Sequence, residues 1–162
     1  MKSEIDMNTV TLALSDILNT LFPDATTYAN PTQQDASLPA WYINFVPNVS
    51  IDKRMGNRWM RTLRVDLVYL EDYNLTNLYD RYKNAADILD EHLELFDYVD
   101  DAGTVYKLRT YERQWRVSLA DLHYEFKLQI YVSKTKPPVP TMETIESLDM
   151  TALEGGLADG QR

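Results

Sequence analysis

The 162-residue chain contains no cysteine, no long apolar run and no signal-peptide pattern. Without cysteine it can form neither a disulfide nor a thiolate metal site, and it has no thiol nucleophile. No apolar run approaches the roughly 20 residues that a membrane-spanning helix needs. The opening sequence, MKSEIDMNTV, lacks the basic and then apolar layout of a secretory signal. These absences predict a protein made in the cytosol, with no membrane partner.

Catalytic signatures are also absent from the sequence. There is no G-x-S-x-G, P-loop, G-x-G-x-x-G or H-E-x-x-H. Nothing places His92 and His123 near each other or near a serine nucleophile, and we interpret both as ordinary surface residues. Asp100 and Asp101 shortly precede Gly103, which predicts a turn rather than a catalytic carboxylate pair. We therefore expect no enzyme activity, no metal site and no cofactor.

Negative charge dominates the chain, which has 25 acids, 16 bases and a net charge of −9. Most of such a surface would repel nucleic-acid phosphates, so we expect no sequence-specific nucleic-acid binding. Residues 53–64 are the exception, and we call this segment the basic arm. It has no acid and five bases: Lys53, Arg54, Arg58, Arg61 and Arg64. Residues 71–101 instead hold ten acids and two bases, a net of −8.

Hydrophobic spacing predicts two amphipathic helices. Apolar residues recur every three or four positions over residues 3–22, and Pro23 ends that pattern. A second apolar stripe runs from Leu75 to Phe96, with Asn74 or Thr76 as the capping residue. Each helix would bury its apolar stripe against the rest of the molecule.

Alternation of apolar and polar residues predicts several strands, the clearest over residues 41–46, 63–70 and 122–132. Weaker patterns indicate a short strand at 26–29, a hairpin with a bulge over 98–111 and a strand at 115–119. Short links favour antiparallel pairing. We predict an α+β fold with a mostly antiparallel sheet, two amphipathic helices on one face, and a long basic connection between the central strands. The expected core contains Leu14, Leu18, Leu21, Leu67, Leu89, Leu93, Phe126, Leu128 and Ile130.

The composition changes after residue 136. Residues 137–162 are rich in proline and acids and poor in large apolar side chains. Such a composition cannot bury enough apolar surface to order itself. We predict one α+β domain over residues 1–136 and an extended or disordered C-terminal extension over residues 137–162.

The basic arm has two interpretations. A charged, solvated hairpin tip would keep sheet edges apart. A subunit interface is favoured by Met55, Trp59 and Met60, because Met, Trp and Arg are enriched at interfaces. Apolar residues on the outward strand faces would also need cover from a neighbouring copy: Tyr42, Val46, Met60, Val68, Leu70 and Tyr131. The candidate interface residues are Lys53, Arg54, Met55, Gly56, Asn57, Arg58, Trp59 and Arg61.

A known protein family shares this order of elements. The segments NTVTLALSDILNTLFP, YANP and LPAWYINFV resemble the opening of the tail terminator proteins of tailed bacteriophages and prophages. The later GNRWMRTLRVDLVYL, where Gly56, Asn57, Arg58 and Arg61 lead into a strand, strengthens the likeness. The resemblance covers about residues 7–133.

The resemblance implies a non-enzymatic virion protein. Such a protein forms a ring, typically hexameric, on the head-proximal end of the tail, stops tube polymerisation and provides the joint to neck and capsid. The implied partners are other copies, the tail tube protein, neck or head–tail connector proteins, and a sheath protein if the tail is contractile. The protein would be assembled in the bacterial cytoplasm, and in the virion it would lie at the tail–neck junction.

Two alternative functions remain open from the sequence. Another ring-forming protein of the same particle, such as a neck or head–tail adaptor or a tube subunit, would share this size and acidity. A host-side binding module would use the basic arm to hold an anionic ligand, and it would be monomeric without that ligand.

Overall fold

The structure is a computed structural model that describes residues 6–29 and 36–133. These residues form two helices and six strands. The helices are α1 (Met7–Leu21) and α2 (Leu78–His92). The strands are β1 (Thr26–Tyr28), β2 (Ala40–Lys53), β3 (Arg58–Leu70), β4 (Leu95–Val99), β5 (Val105–Ser118) and β6 (Asp121–Ser133). The predicted α+β class is confirmed.

The strands form one sheet in the order β1-β2-β3-β6-β5-β4. Only β1 and β2 pair in parallel, and the other pairs are antiparallel. In the centre, Val65 lies opposite Phe45 of β2 and Phe126 of β6. This register puts apolar residues of neighbouring strands on the same face, because side chains alternate between faces along each strand.

Both helices cover that apolar face, as the sequence predicts. Val10, Leu14 and Leu18 of α1 and Tyr82 and Leu89 of α2 belong to one buried cluster with the central strands. Eight of the nine expected core residues are buried, and Leu21 is partly buried against the cluster. The predicted burial of both helical stripes is therefore confirmed.

Helix α2 is shorter than predicted. It begins after Asn77, whose side chain makes no capping hydrogen bond, and it ends at His92. The cause of the early end lies in β5, where the Thr110 hydroxyl donates to the Leu93 carbonyl at 2.7 Å and the Thr110 N–H donates to the Glu94 carbonyl at 3.1 Å. These contacts turn the chain out of the helix. Phe96, predicted as helical, lies in β4.

The other elements differ less from expectation. Helix α1 ends at Leu21, one residue before the predicted end, and its predicted first residues, 3–5, lie outside the described residues. A bulge is present in β5 but lies just beyond the predicted range of 98–111: the β4–β5 register is regular, and the shift falls between Tyr111 and Gln114, where Glu112 has a φ of 51°. The tight turn at Gly103 is also present, with a φ of 82°.

The prediction of a long basic connection between the central strands is wrong in detail. Strand β2 continues to Lys53 and β3 begins at Arg58, so only residues 54–57 connect them. The Arg54 N–H donates to the Arg58 carbonyl at 2.9 Å and closes this turn. Alternation failed to reveal the strand ends because exposed charged residues fill positions on both of their faces, and because β2 has an irregularity between Val46 and Ser50.

The outward face of the sheet is partly covered by the chain itself. Tyr42 and Val68 are buried in a second cluster with Ala40, and Tyr28 and Leu70 pack against it. The Tyr28 and Tyr42 rings stack at a centroid distance of 5.3 Å. Of the outward apolar residues named above, Tyr131 stays largely exposed, at 63%. Most of this face therefore does not require a neighbouring copy for its burial.

Candidate subunit interface

The basic arm is part of a two-stranded hairpin whose outer end is exposed, whereas Met60 and Leu63 nearer the sheet are buried. Residues 50–58 are exposed, with Met55 at 94% and Ile51 at 54%. Lys53 pairs with Trp59 across the hairpin, and its ammonium lies 6.0 Å from the Trp59 ring centroid. The strand pairing gives the arm a defined shape, because backbone hydrogen bonds hold both sides of it.

The charges at the outer end of the arm are largely uncompensated. In the described part of the chain, the side chains of Lys53, Arg58 and Arg61 form no ion pair with an acid. Arg54 contacts the Met60 sulfur, with Nη2 at 3.4 Å from Sδ. Exposed cations without an acidic partner present uncompensated positive charge, which can steer an acidic surface toward them and fix the register of docking.

Arg64 differs from the outer bases of the arm, because its side chain belongs to an ion-pair network on the sheet. Its Nη2 lies 3.0 Å from Glu125 Oε2, and Arg116 Nη2 lies 2.8 Å from Glu125 Oε1. Gln114 Nε2 also donates to Glu125 at 3.0 Å. Burial alone would raise the pKa of Glu125, but these three partners outweigh it and hold the pKa below its ordinary value. The free charge of the arm therefore comes from its outer four bases.

The histidines are in unlike surroundings. His92 is exposed, and its Nδ1 lies 2.9 Å from the Ile88 carbonyl oxygen. His123 is half-buried, with Nδ1 2.9 Å from Asp66 Oδ2, so its interpretation as an ordinary surface residue is wrong. Among the described residues, no group of three or more His, Asp or Glu side chains could hold a metal ion. No helix in the described ranges is long and apolar enough to cross a membrane.

A groove between α1 and β4 is a second exposed feature, and sequence reasoning missed it. It encloses about 590 Å³ and is lined by apolar residues of both elements, among them Leu12, Ile17, Leu95 and Val99. Leu12 is 64% exposed, Val99 48% and Leu95 43%. Asp16 and Asp97 provide its acids, and the lining contains no Lys or Arg. Contiguous exposed apolar surface with a polar rim is typical of binding sites.

Strand β4 also forms an open edge along this groove. In the described residues it pairs only with β5. The Glu94 carbonyl and the Asp100 N–H bond toward β5. Antiparallel alternation therefore directs the N–H and C=O groups of Leu95, Asp97 and Val99 to the open side. Such an edge can pair with another strand.

The comparison with protein families decides the identity of this chain. A model of phage tail terminator proteins matches residues 9–140. The chain belongs to the phage tail terminator family. Membership makes it a structural component of the phage tail, and so of the virion, and implies contact with the tail tube. The resemblance noted from the sequence is confirmed.

Other comparisons add little for this tail terminator. No curated protein matches the chain. One solved structure is similar at 12% sequence identity, covering 81% of this chain and 94% of the other, with a TM-score of 0.39. That likeness is too low to support any argument about function.

The structure brings the eight predicted interface residues of the terminator together in one hairpin. Met55, Gly56 and Asn57 lie in or beside the turn, and the remaining residues lie on the two strands that enter it. The sequence does not reveal the groove, because its periodicity predicts Phe96 as helical and only Tyr98 and Val99 of β4 as part of a hairpin. The alternation of exposed and buried residues from Leu95 to Val99 was the available signal.

Proposed function

We propose that this tail terminator closes into a ring on the head-proximal end of the tail tube, ends tube polymerisation and provides the joint to the neck proteins. Membership of the family supports the role in termination. The proposal of subunit contacts through the basic arm rests on one observation: Arg58 and Arg61 have no acidic partner in the described residues, at the end of a hairpin that also exposes Met55.

A ring needs one surface that complements a different surface on the next copy, and the rotation between copies must close. The basic arm has four outer bases, whereas residues 71–101 have a net charge of −8. Complementary patches of this kind speed encounter and fix register. A hexamer is the stoichiometry we propose, following the family resemblance.

Termination requires a ring with two unlike faces. One face would bind the last ring of tube subunits and occupy the contacts that a further subunit would use. The opposite face would lack those contacts and would instead receive the neck or head–tail connector proteins. A sheath protein would be an additional partner if the tail is contractile.

The experiment that tests assembly is a measurement of mass by sedimentation. The wild-type protein should form a closed species whose mass is a multiple of 18.8 kDa. Arg58→Glu combined with Arg61→Glu should leave a folded monomer. Lys83→Glu combined with Arg109→Glu changes the net charge equally at exposed sites outside the arm. Both sites lie in or beside the acidic segment, and Arg109 loses only an exposed ion pair with Glu94, so this control should assemble at least as well as the wild type.

Salt provides a second measurement on the same samples. Exposed ion pairs are screened over about 10 Å at 0.1 M salt, so added salt should weaken the wild-type ring. A wild type that remains monomeric at every concentration contradicts the ring. A double arm variant that assembles normally shows that the arm is only a solvated hairpin tip.

A further inference from the structure

We propose that the basic arm of one copy seats in the groove between α1 and β4 of the next copy. The inference rests on the ring proposed above and names the surface that receives the arm. The occupant is therefore a second copy of this chain, and each copy uses its arm on one side and its groove on the other.

Shape and apolar surface favour this pairing. The groove of about 590 Å³ exposes Leu12, Leu95 and Val99 on its walls. The arm exposes Met55 at 94%, and Ile51, two residues before the arm on β2, is 54% exposed. Apolar anchors that fill a pocket on the partner supply most of the binding energy of typical interfaces. Docking would remove both sets of exposed apolar side chains from water.

Charge favours the arm over the acidic residues 141–162 as the occupant of the groove. Asp16 is the only charged residue of α1, and it faces the groove together with Asp97 of β4. Asp97 pairs with Lys107 at 2.8 Å and Glu94 with Arg109 at 3.3 Å, whereas Asp16 and Glu91, which lies shortly before β4, form no ion pair in the described residues. The outer bases of the arm complement Asp16 and Glu91. Residues 141–162 carry five acids and one arginine, so they would bring like charge to the groove.

Sheet geometry excludes the arm of the same copy. The arm belongs to β2 and β3, and β6 and β5 separate β3 from β4. At about 4.8 Å between neighbouring strands, β3 and β4 are roughly 14 Å apart. Backbone pairing to β6 fixes β3 along its length, up to Arg58 opposite Ser133. An arm held in this way cannot fold onto its own groove, so a neighbouring copy must supply it.

The two surfaces also offer compatible backbone edges. Strand β1 pairs with β2 only across Ala40–Tyr42, so in the described residues the outer edge of β2 near Ser50 and Lys53 has no strand beside it. The open edge of β4 lies at the other end of the sheet order. An edge-to-edge contact would be head-to-tail, which is the geometry that generates rings.

The experiment is site-directed cross-linking of the intact protein. Since the chain has no cysteine, introduced thiols react without background. Met55→Cys protein is mixed with Leu12→Cys protein and treated with a flexible bis-maleimide, which tolerates imperfect alignment. We expect a heterodimer of twice the 18.8 kDa chain mass. A chain with both substitutions should give a ladder of cross-linked species that stops at the closed ring.

Matched positions provide the controls. Leu119 has the same 94% exposure as Met55 but lies in the β5–β6 turn, and Tyr79 of α2 is 61% exposed against 64% for Leu12. The control pairs are Leu119→Cys with Leu12→Cys, and Met55→Cys with Tyr79→Cys. Met55→Cys with Leu12→Cys should cross-link at least about tenfold more than either control pair, because docking raises the effective concentration of the two thiols.

Each outcome of the cross-linking has a distinct meaning. Equal cross-linking of the test and control pairs overturns the inference. Preferential cross-linking of Met55→Cys to Tyr79→Cys also overturns it and identifies α2 as the receiving surface. In both cases the proposed ring survives if the wild type still sediments as an oligomer. A wild type that stays monomeric contradicts the proposed function together with the inference.

Discussion

Leu93 is a residue on which the packing of α2 depends. Its side chain is fully buried, and it directly follows the last helical residue. Leu93→Ala should lower the free energy of unfolding by about 2–5 kcal/mol, because it removes buried methyl groups and leaves a cavity. Leu12→Ala, at a site 64% exposed, should change it by no more than about 0.5 kcal/mol. Urea denaturation measures both, and equal effects would mean that α2 is packed differently.

Glu125 should make stability depend on pH. Its pKa is lowered in the folded protein, so its contribution to stability is present above its ordinary pKa of 4.5 and is lost as the pH falls through the lowered value. The wild type should therefore exceed Glu125→Gln in stability near neutral pH, and the difference should shrink on acidification.

The control for this pH effect is an exposed ion pair. Glu94 lies 3.3 Å from Arg109 with both side chains more than half exposed. Such pairs contribute little to stability, so Glu94→Gln should show a small difference at every pH. A Glu125→Gln difference that is independent of pH would contradict the assigned ion-pair network.

The burial of apolar residues could be predicted from the sequence, but the burial of polar residues could not. The core leucines follow helical and strand periods. Glu71 has no such pattern, yet it is buried, accepts a hydrogen bond from the Tyr69 hydroxyl at 2.8 Å and pairs with Arg81. Burial and this hydrogen bond raise the pKa of Tyr69. Only the fold brings a partner from α2 to a carboxylate at the end of β3.

At the scale of elements, the basic arm depends on the conformation of Gly56. Its φ of 70° lies in the left-handed region, and no heavy atom lies within 4 Å of the position that a Cβ would take. Gly56→Ala should therefore cost about 1–2 kcal/mol through backbone strain alone. Gly56→Asn should cost less, because asparagine tolerates this region better.

Urea denaturation of the two Gly56 variants measures these costs. Equal stabilities for the wild type and Gly56→Ala would show that the turn has another conformation. The basic arm would then lack the fixed shape on which the proposed docking depends.

The boundaries of elements were harder to predict than their types. Leu89, Leu93 and Phe96 continue a helical spacing, which hid the start of β4 at Leu95. The helix in fact ends because Thr110 binds the carbonyl oxygens that follow it, a contact with a distant strand. Local periodicity contains no information on such a contact.

At the scale of the whole molecule, the extent of the folding unit remains a prediction. Residues 137–162 lie outside the described residues, and the family match ends at residue 140. A chain that ends at Lys136 should fold with nearly unchanged stability, because the removed residues are acidic, proline-rich and poor in large apolar side chains. Limited proteolysis should trim the full chain to this core. A truncated chain that fails to unfold cooperatively would show that the extension belongs to the core.

The class of the fold and the family were accessible from the sequence, whereas the groove was not. Two amphipathic helices and alternating strands were sufficient for the α+β class. The groove depends on the strand order that places β4 at the edge and on α1 packing beside it. Both result from contacts between residues far apart in the chain, which no local pattern specifies.

The length of tails assembled with arm variants tests the central claim most directly. A phage that lacks its own copy of this protein would be supplied with wild type, with Arg58→Glu combined with Arg61→Glu, or with Lys83→Glu combined with Arg109→Glu, and its tails measured by electron microscopy. We expect normal tails from the wild type and the control variant, and overlong or unjoined tails from the arm variant. Tails of normal length, joined to heads, from the arm variant would contradict the account.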